Sequence, residues 1–319
     1  MKKIPLIVVV SLLGAMSAAD AAYPEKPVRI IVPSPPGGGI DAMGRLLAHK
    51  LTASLAKQVV VENRGGAGGN IGTEIAAKSA RDGYTLLMAG SQLVANPSLY
   101  GKVGFDPVQD FDPISLLALA PNVLVVHPSL PVQSVRELIA LAKNKPDAVG
   151  FAGAGPGSTP HLAGELFNMM AGVKMVHVPY RGTGPALTGI LGGEASVMFM
   201  TATAAVPLVR AKRLRGIAVT SISRLPALPE LPTIAESGLR GYQSNQWYGL
   251  LAPAGTPDEV LNLLNTQSVR FVQNPDTHQR LINEGAIPVG STREQFASHI
   301  KTEIVKWAQV IKQSGARAD

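Results

Sequence analysis

Four glycine-rich turns are the part of this chain whose residue types and spacing could bind a ligand. They cover residues 36–41, 62–72, 153–161 and 180–186, and each follows an apolar run or opens a helical pattern. Glycine lets backbone amides face a ligand without an intervening side chain. A helix N-terminus adds free N–H groups and about half a positive charge. Two such turns on each of two facing lobes would hold an anion from both sides.

The first turn also fits a dinucleotide-binding motif. Residues 37–42 read GGGIDA, which matches G-x-G-x-x-A, and Glu62 lies where a ribose-binding acid would be expected. The motif alone is a weak signal, and Glu62 leads directly into the second glycine-rich turn, which is unusual for the end of a ribose-binding strand. Two alternatives therefore stay open: a dinucleotide-binding enzyme, and glycines that only form tight turns.

Other catalytic and metal-binding patterns are missing from the sequence. The six histidines form no H-x-x-x-H pair, and neither a G-x-S-x-G elbow nor a Walker motif occurs. Ser158 and His161 lie at a predicted helix start, where serine is first of all an N-cap. These patterns therefore predict no metal site, and they give no support to a catalytic one.

The N-terminus has the layout of a secretory signal peptide. Lys2 and Lys3 precede an apolar stretch over residues 4–13, and small residues follow it. This stretch is well short of the roughly 20 residues that a membrane span needs. We predict a signal peptide over residues 1–21, with cleavage after Ala19 or Ala22 as alternatives, and a periplasmic protein. The 0 cysteines rule out a lipid anchor at the cleavage site and a disulfide framework.

Composition and charge limit the kinds of molecule that this protein could bind. With 46% hydrophobic residues the chain can bury a core without disulfides, and its formal charge of +7 could attract nucleic acid, membrane surface or small anions. The densest basic run, RAKRLR at residues 210–215, has no interleaved aromatic residues. We therefore predict no nucleic-acid partner and favour small anionic solutes.

The chain alternates between strand and helix patterns, which predicts an α/β fold with mostly parallel sheets. The predicted strands cover residues 28–32, 59–62, 85–89, 123–127, 149–152, 176–178, 195–200, 215–219 and 248–252. Ser134 and Thr256 each begin a capping-box pattern at a helix start, and Thr292 opens the last predicted helix.

The glycine-rich turns occur as two similar pairs along the chain, which predicts two similar lobes. The first part carries turns near residues 37 and 66, and the second carries them near residues 153 and 182. We predict that the chain crosses between the lobes near residues 117–122 and 243–248. The first lobe would then contain residues 22–119 and 248–319, and the second residues 120–247.

Several longer motifs carry a family resemblance over nearly all of the predicted mature chain. They read YPEKPVRIIVPSPPGGGIDAMGRLLA, VVVENRGGAGGNIGTEIAAKSARDGYTLL, NPSLY, GPGSTPHLAGELF, VHVPYRGTGPAL and LPTIAESGLRGYQSNQWYGLLAPAGTP. Together they resemble the solute-binding proteins of tripartite tricarboxylate transporters, the Bug-type or TctC-like receptors. The resemblance implies a two-lobed, type II periplasmic-binding-protein (Venus-flytrap) fold that closes on a small organic carboxylate. It also implies a monomer that acts without catalysis or cofactor and delivers its solute to membrane permease subunits.

The resemblance also implies a set of ligand-binding residues on both lobes. The first lobe would contribute Gly37, Gly38, Gly39, Asp41, Ala67, Gly68, Gly69, Gly90 and Ser91. The second would contribute Ser158, Thr159, His161, Tyr180, Arg181, Gly182 and Thr201. We expect Asp41 either to cap its own helix or to hold a water that bridges to the ligand. Arg181 is expected either to meet a distal carboxylate or to be a charge at the rim, and Trp247 to pack rather than to stack on the ligand.

One segment departs from the family pattern. After GGEASVMF the resemblance leads us to expect an aspartate, but this chain has Met200 followed by Thr201. The run from Gly90 to Asn96 is also less polar than expected. Both changes hint at a solute with an apolar or aromatic far end. A signalling receptor that passes its bound state to a sensor protein, and an exported enzyme, are the other functions that the sequence leaves open.

Overall fold

The computed structural model describes residues 23–318, so the predicted signal peptide at residues 1–21 lies outside the described residues. The helices are α1 (Gly39–Leu55), α2 (Asn70–Ala77), α3 (Gln92–Leu99), α4 (Val135–Asn144), α5 (Thr159–Ala171), α6 (Thr183–Leu191), α7 (Ala202–Arg210), α8 (Asp258–Gln273), α9 (Pro275–Asn283) and α10 (Arg293–Ser314). Within this part of the chain, no helix is both long and apolar enough to span a membrane.

The strands follow the sequence pattern closely. They are β1 (Val28–Val32), β2 (Val59–Asn63), β3 (Thr85–Ala89), β4 (Phe111–Val126), β5 (Gly150–Gly153), β6 (Val176–Pro179), β7 (Val197–Thr201), β8 (Arg215–Val219), β9 (Asn245–Pro253) and β10 (Ile287–Pro288). All nine predicted strands are present. Strand β4 starts well before the predicted one, because its first half is also in a sheet.

Each lobe is built around three parallel strands. In the first lobe β1 pairs in parallel with β2 and β3, and in the second β5 pairs in parallel with β6 and β7. The predicted parallel order therefore holds for these strands. Strands β4 and β9 instead pair antiparallel with each other and with their neighbours, because one carries the chain into the second lobe and the other carries it back.

Strand β4 belongs to both sheets. Its residues Phe111 to Pro121 pair with β9, and its residues Asn122 to Val126 pair with β7. Strand β8 also pairs with the second half of β4. The boundaries that we predict between the lobes fall within β4 and β9, and they remain a prediction.

The predicted helix starts have three different outcomes. Thr292 forms the full capping box at α10, which confirms that prediction. Ser134 caps α4 by accepting a hydrogen bond from the Glu137 amide, but the Glu137 carboxylate accepts from Gln133 instead of closing the box. The prediction for Thr256 is wrong, because its hydroxyl donates to the Pro253 carbonyl and α8 begins without a side-chain cap.

The core joins the two lobes through the C-terminal helix. Helix α10 packs against α3 and β4 and also against α5, and its Trp307 is fully buried. The Trp247 ring is buried too and meets Phe296 of α10 edge-on, with ring centroids 5.5 Å apart. This confirms the prediction that the Trp247 ring packs inside the protein. One apolar cluster therefore runs behind the cleft from one lobe to the other.

Candidate functional site

A cleft of about 470 Å³ lies between the two lobes. It is lined by Pro33, Ser34, Pro35, Gly39, Ile40, Gly66, Gly68, Gly69, Gln92, Asn96, Tyr100, Ala154, Pro156, Gly157, Ser158, Thr159, Pro160, Thr183, Met198, Thr201, Gln246 and Tyr248. Among residues 23–318, this lining contains no charged side chain. Six of the predicted site residues are in it: Gly39, Gly68, Gly69, Ser158, Thr159 and Thr201.

Six helices begin at the wall of the cleft. Helices α1, α2 and α3 do so from the first lobe, and α5, α6 and α7 from the second. The lining residues at these starts are Gly39, Gly69, Gln92, Ser158, Thr159, Thr183 and Thr201, each the first residue of its helix or its N-cap. Because a helix N-terminus carries partial positive charge and unpaired N–H groups, the cleft is electropositive without a cationic side chain.

The second glycine-rich turn has a shape that only glycine adopts easily. Gly68 and Gly69 have φ values of +65° and +99°. A Cβ atom at Gly69 would lie 2.8 Å from the Pro33 carbonyl oxygen. The Asn96 amide of α3 holds the turn from behind, because its Nδ2 donates to the Gly68 carbonyl at 3.0 Å and to Asn70 Oδ1 at 2.7 Å.

Ser158 both caps α5 and lines the cleft. Its Oγ accepts hydrogen bonds from the backbone amides of Ala154 at 3.1 Å and His161 at 3.4 Å. This arrangement uses the lone pairs of the hydroxyl and leaves its hydrogen free to donate to a ligand. The next residue, Thr159, donates its own hydroxyl to the Gln246 side chain at 3.0 Å.

Gln246 lies at the base of the cleft and is held from both lobes. Its Oε1 accepts from the hydroxyl of Ser91 at 2.5 Å as well as from that of Thr159. A separation of 2.5 Å is below the roughly 2.7 Å at which N–H···O bonds begin, so the oxygen must face Ser91. The Nε2 atom therefore lies on the other side, over Gly90, where a Cβ atom would be 2.5 Å away. Gln246 lines the cleft, and its Nε2 makes no hydrogen bond within residues 23–318, so its N–H groups remain available as donors.

Asp41 does not line the cleft, and its predicted contact with the ligand remains a prediction. Asp41 as a whole is 3% exposed, and its carboxylate accepts from the Gly37 amide at 2.9 Å, from Asn63 Nδ2 at 2.8 Å and from Arg45 Nε at 3.1 Å. Burial alone would raise the pKa of Asp41, but these hydrogen bonds outweigh it and hold the pKa below its ordinary value. The carboxylate thus shapes the first glycine-rich turn from behind.

His161 also lies behind the cleft wall instead of in it. The ring is buried, stacks on His177 with centroids 3.9 Å apart, and accepts at Nδ1 from the Gly157 amide at 3.0 Å. Burial, followed by the charge on His177, lowers the pKa of His161 to about 3, so the ring is neutral at neutral pH. His161 therefore supports the turn that contains Gly157.

Three neighbouring predicted residues at the start of α6 are not in the lining either. The Tyr180 hydroxyl donates to Glu194 at 3.2 Å, and its ring lies against Gly189 of α6, where a Cβ atom would overlap it. Arg181 is exposed, which agrees with a position at the rim, and Gly182 is the N-cap of α6. Gly37, Gly38, Ala67, Gly90 and Ser91 likewise lie outside the lining. Their ligand contacts, like those of the residues inside it, remain a prediction.

Several polar residues of the cleft were not among those predicted from the sequence. Gln92, Asn96, Tyr100, Thr183, Gln246 and Tyr248 all line it. Each of them lies within one of the family motifs or next to a predicted site residue in the sequence. This proximity is the signal from which they could have been predicted. Met200, where an acid was expected, is fully buried in the second lobe, and Met198 and Thr201 line the cleft on either side of it.

Comparison with known sequences agrees with this arrangement. The family described as "Tripartite tricarboxylate transporter family receptor" (TctC) matches residues 43–316. The chain belongs to this TctC receptor family. It is 38% identical over 307 residues to protein BugT of Bordetella pertussis, covering 96% of this chain and 94% of BugT. The Bug-type resemblance is therefore confirmed.

Solved structures of similar proteins share the TctC receptor fold. The Rhodopseudomonas palustris protein Rpa4515, determined with adipate, is 37% identical and has a TM-score of 0.82, covering 92% of this chain and 99% of Rpa4515. MatC of the same organism, with bound malate, is 31% identical with a TM-score of 0.78, covering 91% of this chain and all of MatC (100%). These similarities confirm the two-lobed binding-protein fold.

Proposed function

We propose that this protein is a periplasmic receptor that captures a small organic carboxylate between its lobes and delivers it to the permease subunits of a tripartite tricarboxylate transporter. The observation that carries the proposal is that six helices begin at the cleft, whose lining has no charged side chain among the described residues. Helix N-termini are common anion sites because backbone N–H groups and the helix dipole act together.

The donors of the cleft suit a carboxylate well. Ser158 offers its hydroxyl hydrogen, Gln246 offers its amide hydrogens, and the helix starts offer backbone N–H groups. Hydrogen bonds to a charged acceptor are stronger than bonds between neutral groups, each worth roughly 1.5–3 kcal/mol. A carboxylate can accept several of them at once because each oxygen has two lone pairs.

Ligand capture would couple the lobes to each other. Gly157 of the second lobe approaches Leu99 of the first so closely that a Cβ atom would overlap the leucine side chain. Gln246 is hydrogen-bonded from both lobes at the same time. A carboxylate that bridges donors on both sides would favour this closed arrangement over an open one. The permease would then recognise the surface of the closed form.

The site supports binding better than catalysis. A serine nucleophile needs an adjacent base, but the His161 ring nitrogen nearest the cleft is occupied by the Gly157 amide hydrogen. The other ring nitrogen faces Glu165 of α5 at 3.7 Å. Within residues 23–318, the titratable side chains of the cleft lining are Tyr100 and Tyr248, and burial, followed by the charge on Glu284, raises the pKa of Tyr248 to about 12. The lining thus offers no carboxylate, histidine or amine as a base.

A calorimetric titration of the purified protein tests the proposed binding. The panel contains mono-, di- and tricarboxylates, aromatic acids, amino acids and NAD. We expect one class of carboxylate to bind and to raise the melting temperature, since a ligand that binds only the native state stabilises it. Binding of NAD without binding of any carboxylate would contradict the proposal and support the dinucleotide alternative.

Two serine variants separate ligand binding from helix capping. Ser158→Ala and Ser134→Ala each remove an N-cap and should each cost about 1 kcal/mol of stability. Only Ser158 lines the cleft, so only Ser158→Ala should also weaken carboxylate binding. Equal affinities in the two variants would show that the Ser158 hydroxyl does not contact the ligand.

Two further experiments test delivery of the solute to the permease and export of the protein to the periplasm. Uptake of the radiolabelled solute into proteoliposomes that contain the permease subunits should require the receptor in its ligand-bound form. N-terminal sequencing of the protein from a periplasmic fraction should start at Ala22 if cleavage follows Ala21. Uptake at the same rate without the receptor, or a protein retained in the cytoplasm with Met1 in place, would contradict these parts of the proposal.

A further inference from the structure

We infer that the hydroxyl groups of Tyr100 and Tyr248 donate hydrogen bonds to carboxylate oxygens of the solute, one beside each glycine-rich turn of the first lobe. The inference rests on the proposed function, since it names two contacts that the same cleft makes with its solute. It starts from a difference between these two tyrosines and the other tyrosines of the chain.

The six tyrosines of the chain fall into two groups by the partners of their hydroxyl groups. Four hydroxyl groups are hydrogen-bonded within the protein, those of Tyr23, Tyr84, Tyr180 and Tyr242. The hydroxyl groups of Tyr100 and Tyr248 make no hydrogen bond within residues 23–318, and both residues line the cleft. The two tyrosines that are free to bond to a solute are therefore the two that a solute can reach.

Each of these hydroxyl groups lies against a glycine of a turn. A Cβ atom at Gly39 would overlap the Tyr248 hydroxyl, and a Cβ atom at Gly68 would lie 2.5 Å from the Tyr100 hydroxyl. Both glycines line the cleft as well. The missing side chains at these two positions thus leave room for a phenol hydroxyl at each turn.

The hydroxyl groups are costly for the fold by itself. Tyr248 is 8% exposed and packs in the apolar cluster of the first lobe, and the half-buried Tyr100 packs against the cluster behind the cleft. A phenylalanine ring would fill the same space without removing a polar group from water. A carboxylate oxygen of the solute would supply a partner for each hydroxyl group and offset that cost.

The surroundings of Tyr248 favour its use as a donor. Its hydroxyl lies beside Gly39, the first residue of α1, whose partial positive charge favours the oxygen facing the helix and the hydrogen pointing away. The raised pKa of Tyr248 means that the hydroxyl keeps its proton near neutral pH. A phenol that keeps its proton forms a charge-assisted hydrogen bond with a carboxylate.

Tyr100→Phe and Tyr248→Phe test the inference, because they remove the hydroxyl groups and leave the rings in place. Calorimetric titrations of the purified proteins use succinate, malate, adipate, citrate and phenylpropanoate. We expect each variant to bind the tightest of these carboxylates about 10- to 100-fold more weakly than the unaltered protein does. The melting temperature should stay the same or rise slightly, since neither hydroxyl group has a partner among the described residues.

Tyr242→Phe is the matched control. The Tyr242 hydroxyl donates to the Ala163 carbonyl at 2.8 Å, and the residue is fully buried outside the cleft lining. We expect this variant to have a lower melting temperature and an unchanged affinity. This opposite pattern separates a hydroxyl group that stabilises the fold from one that binds the solute.

The possible results distinguish this inference from the proposed function. Unchanged affinity in both cleft variants overturns the inference but leaves a carboxylate receptor, and a loss in only one variant overturns it for the other tyrosine. The absence of binding by every carboxylate to the unaltered protein overturns the proposed function, and the inference with it.

A crystal structure of the complex with the tightest carboxylate tests the contacts themselves. Each tyrosine hydroxyl oxygen should lie about 2.5–3.0 Å from a carboxylate oxygen, the range of O–H···O hydrogen bonds. A hydroxyl group that meets only apolar atoms of the bound molecule, or only water, would overturn the direct contact at that tyrosine.

Discussion

The side chains of Gln246 and Thr159 are joined by a hydrogen bond of 3.0 Å across the base of the cleft. Gln246 lies on β9, which returns from the second lobe to the first, and Thr159 is the first residue of α5 in the second lobe. The bond is short enough to orient the Gln246 amide, and Ser91 of the first lobe completes the orientation. The Gln246 side chain thereby has two roles: it links the two lobes, and it contributes donors to the binding site.

Substitution of Gln246 should separate its two roles. Gln246→Glu keeps an oxygen that accepts from both hydroxyls but replaces the amide hydrogens by negative charge. We expect it to weaken carboxylate binding about 100-fold while the melting temperature changes little, because charge-assisted donors are lost and repulsion is added. Calorimetry and thermal denaturation measure the two effects.

Gln246→Met is the matched control for that variant. It removes the interlobe acceptor as well as the donors, so the hydroxyls of Ser91 and Thr159 lose their partner. We expect weaker binding together with about 1–2 kcal/mol of lost stability. If Gln246→Glu binds the carboxylate as well as the unaltered protein does, the amide hydrogens do not contact the ligand.

The first glycine-rich turn offers a test of close packing against Tyr248. A Cβ atom at Gly39 would overlap the Tyr248 hydroxyl, and both residues line the cleft. Gly39→Ala should therefore displace the start of α1 and weaken carboxylate binding about tenfold, with about 1–2 kcal/mol of lost stability.

Gly38→Ala is the neighbouring control. Its Cβ atom would have no heavy atom within 4 Å, and the backbone there is extended with φ of −83°. Stability and affinity should both stay close to those of the unaltered protein. A Gly38→Ala variant as impaired as Gly39→Ala would show that chain flexibility, and not the contact with Tyr248, makes the turn sensitive.

Asp41→Asn should impair the cleft indirectly, by loosening the first glycine-rich turn. Asparagine brings amide hydrogens towards donors on Gly37, Asn63 and Arg45, so we expect a loss of about 1–2 kcal/mol of stability and a weaker affinity for the carboxylate. The folded-state pKa of Asp41 is lowered from 3.8, so its stabilisation is present above that value and disappears as the pH falls through the folded-state value.

Thermal denaturation across the acidic range checks the Asp41 prediction. The difference in melting temperature between the unaltered protein and Asp41→Asn should be constant near neutral pH and should shrink below about pH 4. A difference that persists unchanged to the lowest pH would show that charge on the carboxylate is not what stabilises the turn.

His161→Asn tests the support of the turn that contains Gly157. The asparagine Oδ1 can replace Nδ1 as the acceptor for the Gly157 amide, but it does not titrate. His161 has an ordinary pKa of 6.5 and a folded-state pKa of about 3, lowered by burial and then by the charge on His177. Its neutral form is therefore favoured by folding, and its stabilisation is complete above pH 6.5 and lost as the pH falls towards 3.

Melting curves of the two proteins between pH 8 and pH 4 measure this effect. The unaltered protein should lose about 3 kcal/mol more than His161→Asn over that range. His177 and Glu165 titrate nearby in both proteins, so the difference between them isolates the His161 contribution. Parallel pH profiles would contradict the assignment of a buried, neutral ring at position 161.

Local patterns in the sequence were sufficient for much of the fold. The strand at Val28–Val32 and the capping box at Thr292 were predictable because each depends on residues within a few positions of one another. The starts of α1, α2, α5 and α6 were visible for the same reason, since glycines and hydroxyl residues mark helix starts over a short window. The long motifs then identified the receptor family, which no single turn could do.

The tertiary structure decided which residues face the ligand. Gln246 and Ser91 are 155 positions apart, and only the antiparallel return of β9 beside β3 brings them together. Asp41 and His161 belong to the predicted motifs, but packing turns both behind the cleft wall, where donors on Asn63 and Gly157 occupy their polar atoms. Sequence determines the local conformations because these depend on neighbouring residues, whereas the lining of a cleft depends on distant segments that meet only after the chain has folded.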